Sequence, residues 1–226
     1  MSEVELLKIA ASVLALVISI VGHEIMHGWV AYRYGDTTAK SMGRLSINPL
    51  RHIDPVGTIL VPALLYAFHA PFLFGWAKPV PINMNTVIHN GGYGAAVAVS
   101  LAGITYNLIL AIFAATLLPI VHHPESLLGI FIFFFLFWSV MINVVLAVFN
   151  LWPIPPLDGS QALHFFAAKM GWRGFVEAYE KIYPYGMIIL FAILFTPLSN
   201  ILFAPAEWIL NLIMPGWQII LSIITH

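Results

Sequence analysis

His23-Glu24-Ile25-Met26-His27 is the segment of this chain most able to do chemistry. In a helix, positions i and i+4 share a face, so both imidazoles can meet one ion. Glu24, one residue along, can approach a water on that ion without coordinating it. This is the H-E-x-x-H arrangement of zinc hydrolases. The metal would bring the pKa of its water to about 7, and the carboxylate would take the proton and pass it to the leaving amine. Two histidines leave a catalytic metal one protein ligand short, and no further histidine or carboxylate follows His27 at close spacing. The chain has only three aspartates. Asp36 and Asp54 lie among basic residues and read as loop residues. Asp158 follows a long apolar stretch and a proline break (Pro153, Pro155, Pro156) that frees the backbone and aims side chains inward. As a residue type it would also serve as the N-cap of the helix that follows. Ligation is the reading favoured here.

These residues need positioning elements, and composition says what kind. Hydrophobic residues make up 61% of the 226 positions and charged residues 8%, against about 25% charged in soluble domains. So few charges cannot cover a soluble surface, and the apolar runs reach the roughly 20 residues that cross a bilayer. The chain reads as an integral membrane protein. A carboxylate at mid-span costs about 2.5–3.5 kcal/mol and is kept for function, which favours a metal site over chance histidines. Formal net charge is −1, with nine scattered basic residues, so there is no nucleic-acid footprint. The absence of cysteine excludes disulfides, thiolate nucleophiles and thiolate-held zinc. A metal here is held by His, Asp, Glu or backbone oxygen.

The apolar pattern predicts a first helix from Val4 to Tyr34, closing at Gly35-Asp36. Val4–Val21 lacks a basic flank and a small-residue cleavage site, so it reads as retained. A segment to Asp54 follows, carrying Lys40, Arg44 and Arg51. Val56–Phe68 is apolar but short for a span. From Pro71 to Asn90 the prolines and the Gly91-Gly92 pair argue for a turn-rich or β-like excursion. Spans resume at Tyr93–Leu118 and Leu128–Leu151, then a helix at Gln161–Met170 and apolar segments at Pro184–Phe195 and Leu198–Ile224. The expected fold is one all-α polytopic membrane domain over residues 1–226. It has about five to six transmembrane helices and a re-entrant, partly β segment after the first. Basic residues mark cytoplasmic loops. Arg33, Lys40, Arg44 and Arg51 fall on the same side as Lys169, Arg173 and Lys181 if residues 56–90 make no net crossing. The His122-His123 loop then faces outside. Lys78 within that excursion fits a cavity better than lipid.

The paired motifs resemble the site-2 protease family of intramembrane metalloproteases. The matching residues are His23-Glu24-x-x-His27 and the run from Asn150 through Pro153, Pro155 and Pro156 to Asp158-Gly159. Asn48-Pro49-x-x-His52-Ile53-Asp54-Pro55-x-Gly57-Thr58 and Gly75-Trp76-Ala77-Lys78-Pro79-Val80-Pro81 extend the likeness over residues 20–165. The resemblance implies one zinc ion per chain held by His23, His27 and Asp158, with Glu24 as general base. It implies a transmembrane helix of another protein as substrate and a prokaryotic cell membrane as location, with the site toward the cytoplasm. Asn107 resembles the family's asparagine that meets substrate or the developing oxyanion, although the Gly-Pro pair often found before it is missing. Asn in a span also serves as an interhelical hydrogen-bonding residue. Gly75, Trp76, Lys78 and Pro79 belong to a stretch resembling the family's substrate-pairing re-entrant element. His52 reads as a loop residue, and His69, His89, His122, His123, His164 and His226 have no ligand spacing. Phe131–Phe137 reads as packing or lipid-facing surface. Neither a PDZ-like insertion nor a nucleotide-sensing tail is visible, which makes a minimal core enzyme. The rival classes are a metal transporter, which should string its ligands through several spans, and an inactive scaffold, which would not need Glu24. Cobalt or manganese would also suit these ligand types.

Overall fold

A computed structural model describes residues 2–69, 75–121 and 126–218, and all regular structure among them is helical. Pro71, the His122-His123 loop, His226 and the end of the last apolar segment lie outside the described residues. Helix α1 (Glu3–Arg33) opens on a capping box, with Ser2 accepting from the Glu5 amide and Glu5 returning to Ser2. Its 31 residues span about 46 Å. One stripe at intervals of four residues is buried: Ala11, Ala15, Ser19, His23, His27 and Ala31. Small side chains there let neighbouring helices approach closely, which is how helices associate where lipid removes the hydrophobic drive. The two histidines thus sit on the packed face.

Helix α2 (Thr38–Ser41) and a turn at Pro49–His52 follow. A wide turn at Pro55–Leu60 then runs into α3 (Val61–Ala67). This apolar piece is too short to cross and has hardly any buried residue. Residues 75–83 form an extended strap. Helix α4 (Met84–Leu117) begins at Met84, capped by Asn83, and so takes in Met84–Asn90, which the sequence reading gave to the excursion. A sharp bend at Gly92 (φ 68°) marks the predicted break, and only glycine adopts that backbone cheaply. Val87 before the bend packs with Ala31, Ala95 and Val99, which explains why helix wins over the turn-rich composition there.

Helix α5 (Leu127–Leu151) is the most buried of the long helices, enclosed by α1, α4 and α9. Helix α6 (Asp158–Met170) lies on α4 and is followed by α7 (Arg173–Ile182), α8 (Gly186–Leu194) and α9 (Leu198–Ile213). Phe137, Val140 and Val144 of α5 form the main core with Ala111 and Ala114 of α4 and Ala206 and Leu210 of α9.

Among the described residues three helices are long and apolar enough to cross a membrane, or up to four spans if the helical stretch Arg173–Leu194 and α9, bent by 82°, count as one. That is fewer than the five to six expected from the sequence. The count of five to six is thus not confirmed: Val56–Phe68, read from the sequence as short for a span, and Pro184–Phe195 are both shorter than the roughly 20 residues a crossing requires. The expected β character also changes, since no strand is assigned among the described residues. The strap is extended, but Trp76 N–H donates to Gly57 O (3.1 Å) and Lys78 N–H to His52 O (2.9 Å), carbonyls on turns where a ladder would need a strand.

The strap is tied down at both ends of its run. Arg44 donates to Lys78 O (2.7 Å). Asp36, only 2% exposed, accepts from Thr38 N–H (3.0 Å), from the Thr38 hydroxyl (2.5 Å) and from Asn83 N–H (2.7 Å). It therefore joins the end of α1 to the cap of α4 and is a structural clamp where sequence alone suggested a loop. Asp36→Ala strands two backbone donors, at about 1–3 kcal/mol each. Thermal unfolding of the purified protein in detergent should show a clearly lowered midpoint, with Asp36→Asn losing less.

Candidate metal centre

His23 and His27 project from adjacent turns of α1, and each ring is fixed through its Nδ1. His27 Nδ1 lies 2.7 Å from Val99 O on α4. A carbonyl can only accept, so Nδ1 carries a hydrogen, and in the neutral imidazole Nε2 then holds the lone pair. His23 Nδ1 lies 2.6 Å from Asn107 Oδ1, also on α4. The Asn107 amide orientation follows from its other side, where Nδ2 faces Ser19 O (3.3 Å) and Asn143 Oδ1 (2.7 Å). His23 is therefore held as the same tautomer. Both Nε2 atoms point at one spot, 3.1 Å apart.

Asp158 completes the group. Its Oδ2 lies 3.0 Å from His23 Nε2 and 3.2 Å from His27 Nε2, and it is buried with no hydrogen-bond donor. The capping alternative does not describe it: Leu157 occupies the N-cap without any side-chain capping bond, and Asp158 is the first residue of α6. Leu157 is buried among Leu190, Leu194 and Leu202, so the α8–α9 corner sets where α6 begins. Trp152 Nε1 donates to Leu202 O (2.9 Å) and ties the same corner to the end of α5.

Three lone-pair atoms at these separations repel unless a positive charge lies among them. Ligands about 2.0–2.1 Å from a tetrahedral ion stand about 3.3 Å from one another. The observed separations of 3.0, 3.1 and 3.2 Å are close to three edges of that tetrahedron. Room for the ion comes from Gly103 of α4, since a Cβ there would lie 2.5 Å from His23 Nε2 and 2.5 Å from His27 Nε2. Two histidines and a carboxylate are a donor set that suits zinc, with one position left open. Among the described residues this is the one His/Asp/Glu cluster arranged to hold a metal.

Glu24 is partly buried, and its Oε2 accepts from Val80 N–H of the strap (2.9 Å). Strap residues Trp76 and Lys78 turn their amides toward the turns, so Gly75, Trp76, Lys78 and Pro79 lie on the segment that reaches the carboxylate. Asn107 is fully buried with both amide hydrogens and its oxygen engaged. In this geometry it offers no free donor to an oxyanion, unlike the expectation from the family resemblance. His52 is buried at 3% exposure, with Nε2 on Ser46 O (2.8 Å), and supports the strap through its own carbonyl. His164 stands apart on α6, stacked on Tyr179 at 4.6 Å, and burial holds its pKa below the usual histidine value. Sequence reasoning missed Val80, whose contribution is a backbone amide, and Ser19 and Asn143. The last two carry one available signal, a polar residue inside an apolar span.

A model of peptidase family M50 matches residues 119–194, which include Asp158. Over 198 residues the chain is 38% identical to a Bacillus subtilis (strain 168) protein, covering 85% of this chain and 84% of that one. It is 29% identical over 183 residues to a Mycolicibacterium smegmatis protein (79% of this chain, 64% of that one). To a Methanocaldococcus jannaschii protein it is 34% identical over 162 residues (67% and 72%). All three bear the name "Putative zinc metalloprotease", as YwhC, Rip2 and MJ0611 respectively. No solved structure matches the chain. With a buried His-His-Asp cluster beside the Glu of an H-E-x-x-H helix, and relatives alike over most of its length, this membrane chain belongs to the site-2 protease family, peptidase family M50.

Proposed function

We propose that the chain is a zinc metalloendopeptidase that hydrolyses peptide bonds in transmembrane segments of other membrane proteins. The observation that carries this reading is the convergence of His23 Nε2 and His27 Nε2, on the same span-length apolar helix as Glu24, with Asp158 Oδ2 from the start of α6. The names of the relatives support zinc as the metal. One zinc ion per chain is held by these three residues. Bound there, zinc supplies a Lewis acid and lowers the pKa of a water to about 7.

The chain's own residues do the rest. Glu24 is the general base: Val80 N–H holds Oε2, and Oε1 accepts a proton and hands it to the leaving amine. Gly103 keeps the space before the imidazoles open. The strap receives the substrate. Its Trp76 and Lys78 amides are committed to Gly57 and His52, and the alternation of an extended chain leaves the Ala77 backbone on the opposite edge, free to pair with an unwound substrate. Such unwinding is required, because a helical peptide bond offers neither its backbone groups nor its carbonyl carbon. The protein is multi-pass, in a prokaryotic cell membrane, with the basic flanks of α1 and α6 and hence the site toward the cytoplasm.

The test is zinc content and cleavage of a panel of transmembrane-helix substrates by the purified full chain. Wild type should hold about one zinc and cleave. Glu24→Gln should keep its zinc and lose about 10²–10⁴-fold in rate, and Asp158→Ala should lose zinc as well. A wild type that takes up no zinc after loading sinks the proposal. The strap contact gives a separate expectation. Val80→Pro deletes one N–H donated to a carboxylate, an interaction of about 1.5–3 kcal/mol, and should lower kcat about 10–100-fold with zinc retained. An unchanged kcat would remove Val80 from the mechanism.

A further inference from the structure

Behind the two histidines lies a second polar layer made by three helices. Ser19 of α1, Asn107 of α4 and Asn143 of α5 are all fully buried, deep in otherwise apolar spans. Asn143 Nδ2 donates to Ser139 O (2.7 Å) and to Ser19 Oγ (2.7 Å). Ser19 Oγ donates to Ala15 O (2.7 Å). Asn143 Oδ1 accepts from Asn107 Nδ2 (2.7 Å), and Asn107 Oδ1 meets His23 Nδ1 (2.6 Å).

The direction of every hydrogen in this chain is determined. Ser139 O and Ala15 O are carbonyls and can only accept, so the Asn143 amide has one permitted orientation. That orientation presents Oδ1 to Asn107 Nδ2 at 2.7 Å, the shorter of its two acceptor contacts beside Ser19 O at 3.3 Å, and together they fix the second amide. The last link is the Asn107 oxygen, which demands a hydrogen on His23 Nδ1 and so leaves the Nε2 lone pair facing Asp158 and His27. Were the Asn107 amide reversed, its NH₂ would face Nδ1, the ring hydrogen would move to Nε2, and the ligand atom would be blocked. Polar side chains that merely join helices need no such polarity.

We propose that Asn143 and Ser19 are positioning residues of the metal centre, acting through Asn107 to hold the His23 imidazole in its metal-binding tautomer. The inference rests on the reading of His23, His27 and Asp158 as metal ligands. Outer partners of metal-binding histidines contribute about 10–100-fold in metal affinity. The linkage through Asn107 also makes the effects of Asn143 and Asn107 non-additive.

The experiment is zinc affinity by competition with a chromogenic chelator, on the purified full chain, for wild type, Asn143→Ala, Asn107→Ala and the double variant. Thermal unfolding of the zinc-free proteins is followed alongside. Each single variant should bind zinc about 10–100-fold more weakly, and the double variant no more weakly than Asn107→Ala alone. Should Asn143→Ala fail to fold, Ser19→Ala removes a single acceptor on a stripe already rich in alanine. It should also weaken zinc binding, by less, and have no effect in the Asn107→Ala background. Wild-type affinity in the Asn143 or Ser19 variants, or losses that multiply in the double variants, overturns the proposal alone. A wild type that binds no zinc overturns the metal-centre reading itself and this inference with it.

Discussion

Everything in this molecule is arranged around the crowding of three electron-pair donors. Two imidazole nitrogens and a carboxylate oxygen lie 3.0–3.2 Å apart, each with its lone pair facing the others. Apolar surroundings make such crowding costlier, because no water is available to relieve it. A positive charge at its centre relieves the crowding, and the flanking structure prevents the rings from turning away. Both imidazoles are held from behind by acceptors on α4, and Asp158 is carried in on the first turn of α6.

That constraint explains the packing of the long helices. Alanine at three positions of the buried stripe of α1 brings α4 and α5 close enough for Val99 O and Asn107 to reach the imidazoles. Gly103 has no side chain to fill the space before the imidazoles, where a Cβ would lie 2.5 Å from both Nε2 atoms. On the other side Asp158 depends on a proline-broken turn whose neighbour Leu157 is wedged into the α8–α9 corner. The C-terminal helices, which contribute no ligand, therefore act on the site through the start of α6.

Much of this was legible in the sequence because the strongest signals there are local. His23, Glu24 and His27 declare themselves by spacing on a single helix, and Asp158 by its isolation among three aspartates. The long spans are visible because twenty apolar residues in succession have no other use. What stayed hidden depends on partners distant in the chain. Asp36 looks like a turn residue until Asn83 N–H is found on its carboxylate, and Asn107 fits an oxyanion role until Asn143 and Ser19 occupy its amide. The strap looked like β structure because its prolines exclude helix. Extended backbone is all that composition can indicate, and whether a partner strand exists is a tertiary fact. Short apolar segments leave the span count open for the same reason, since an apolar run of a dozen residues reads alike whether it crosses, bends back or packs.

The division of labour among elements has a chemical consequence. The metal-facing atoms are fixed by helices, and their supports are carbonyls or amides within rigid spans. Glu24 alone is held by the strap, through one backbone N–H. In the proposed reading Glu24 is the base, and its anchor on the strap is a backbone N–H, whereas the imidazoles are held by acceptors on a long helix. The strap also carries the backbone edge against which an extended peptide would lie. The cluster of His23, His27 and Asp158 and the Glu24 carboxylate are thus held by different parts of the fold, helices for the one and the strap for the other.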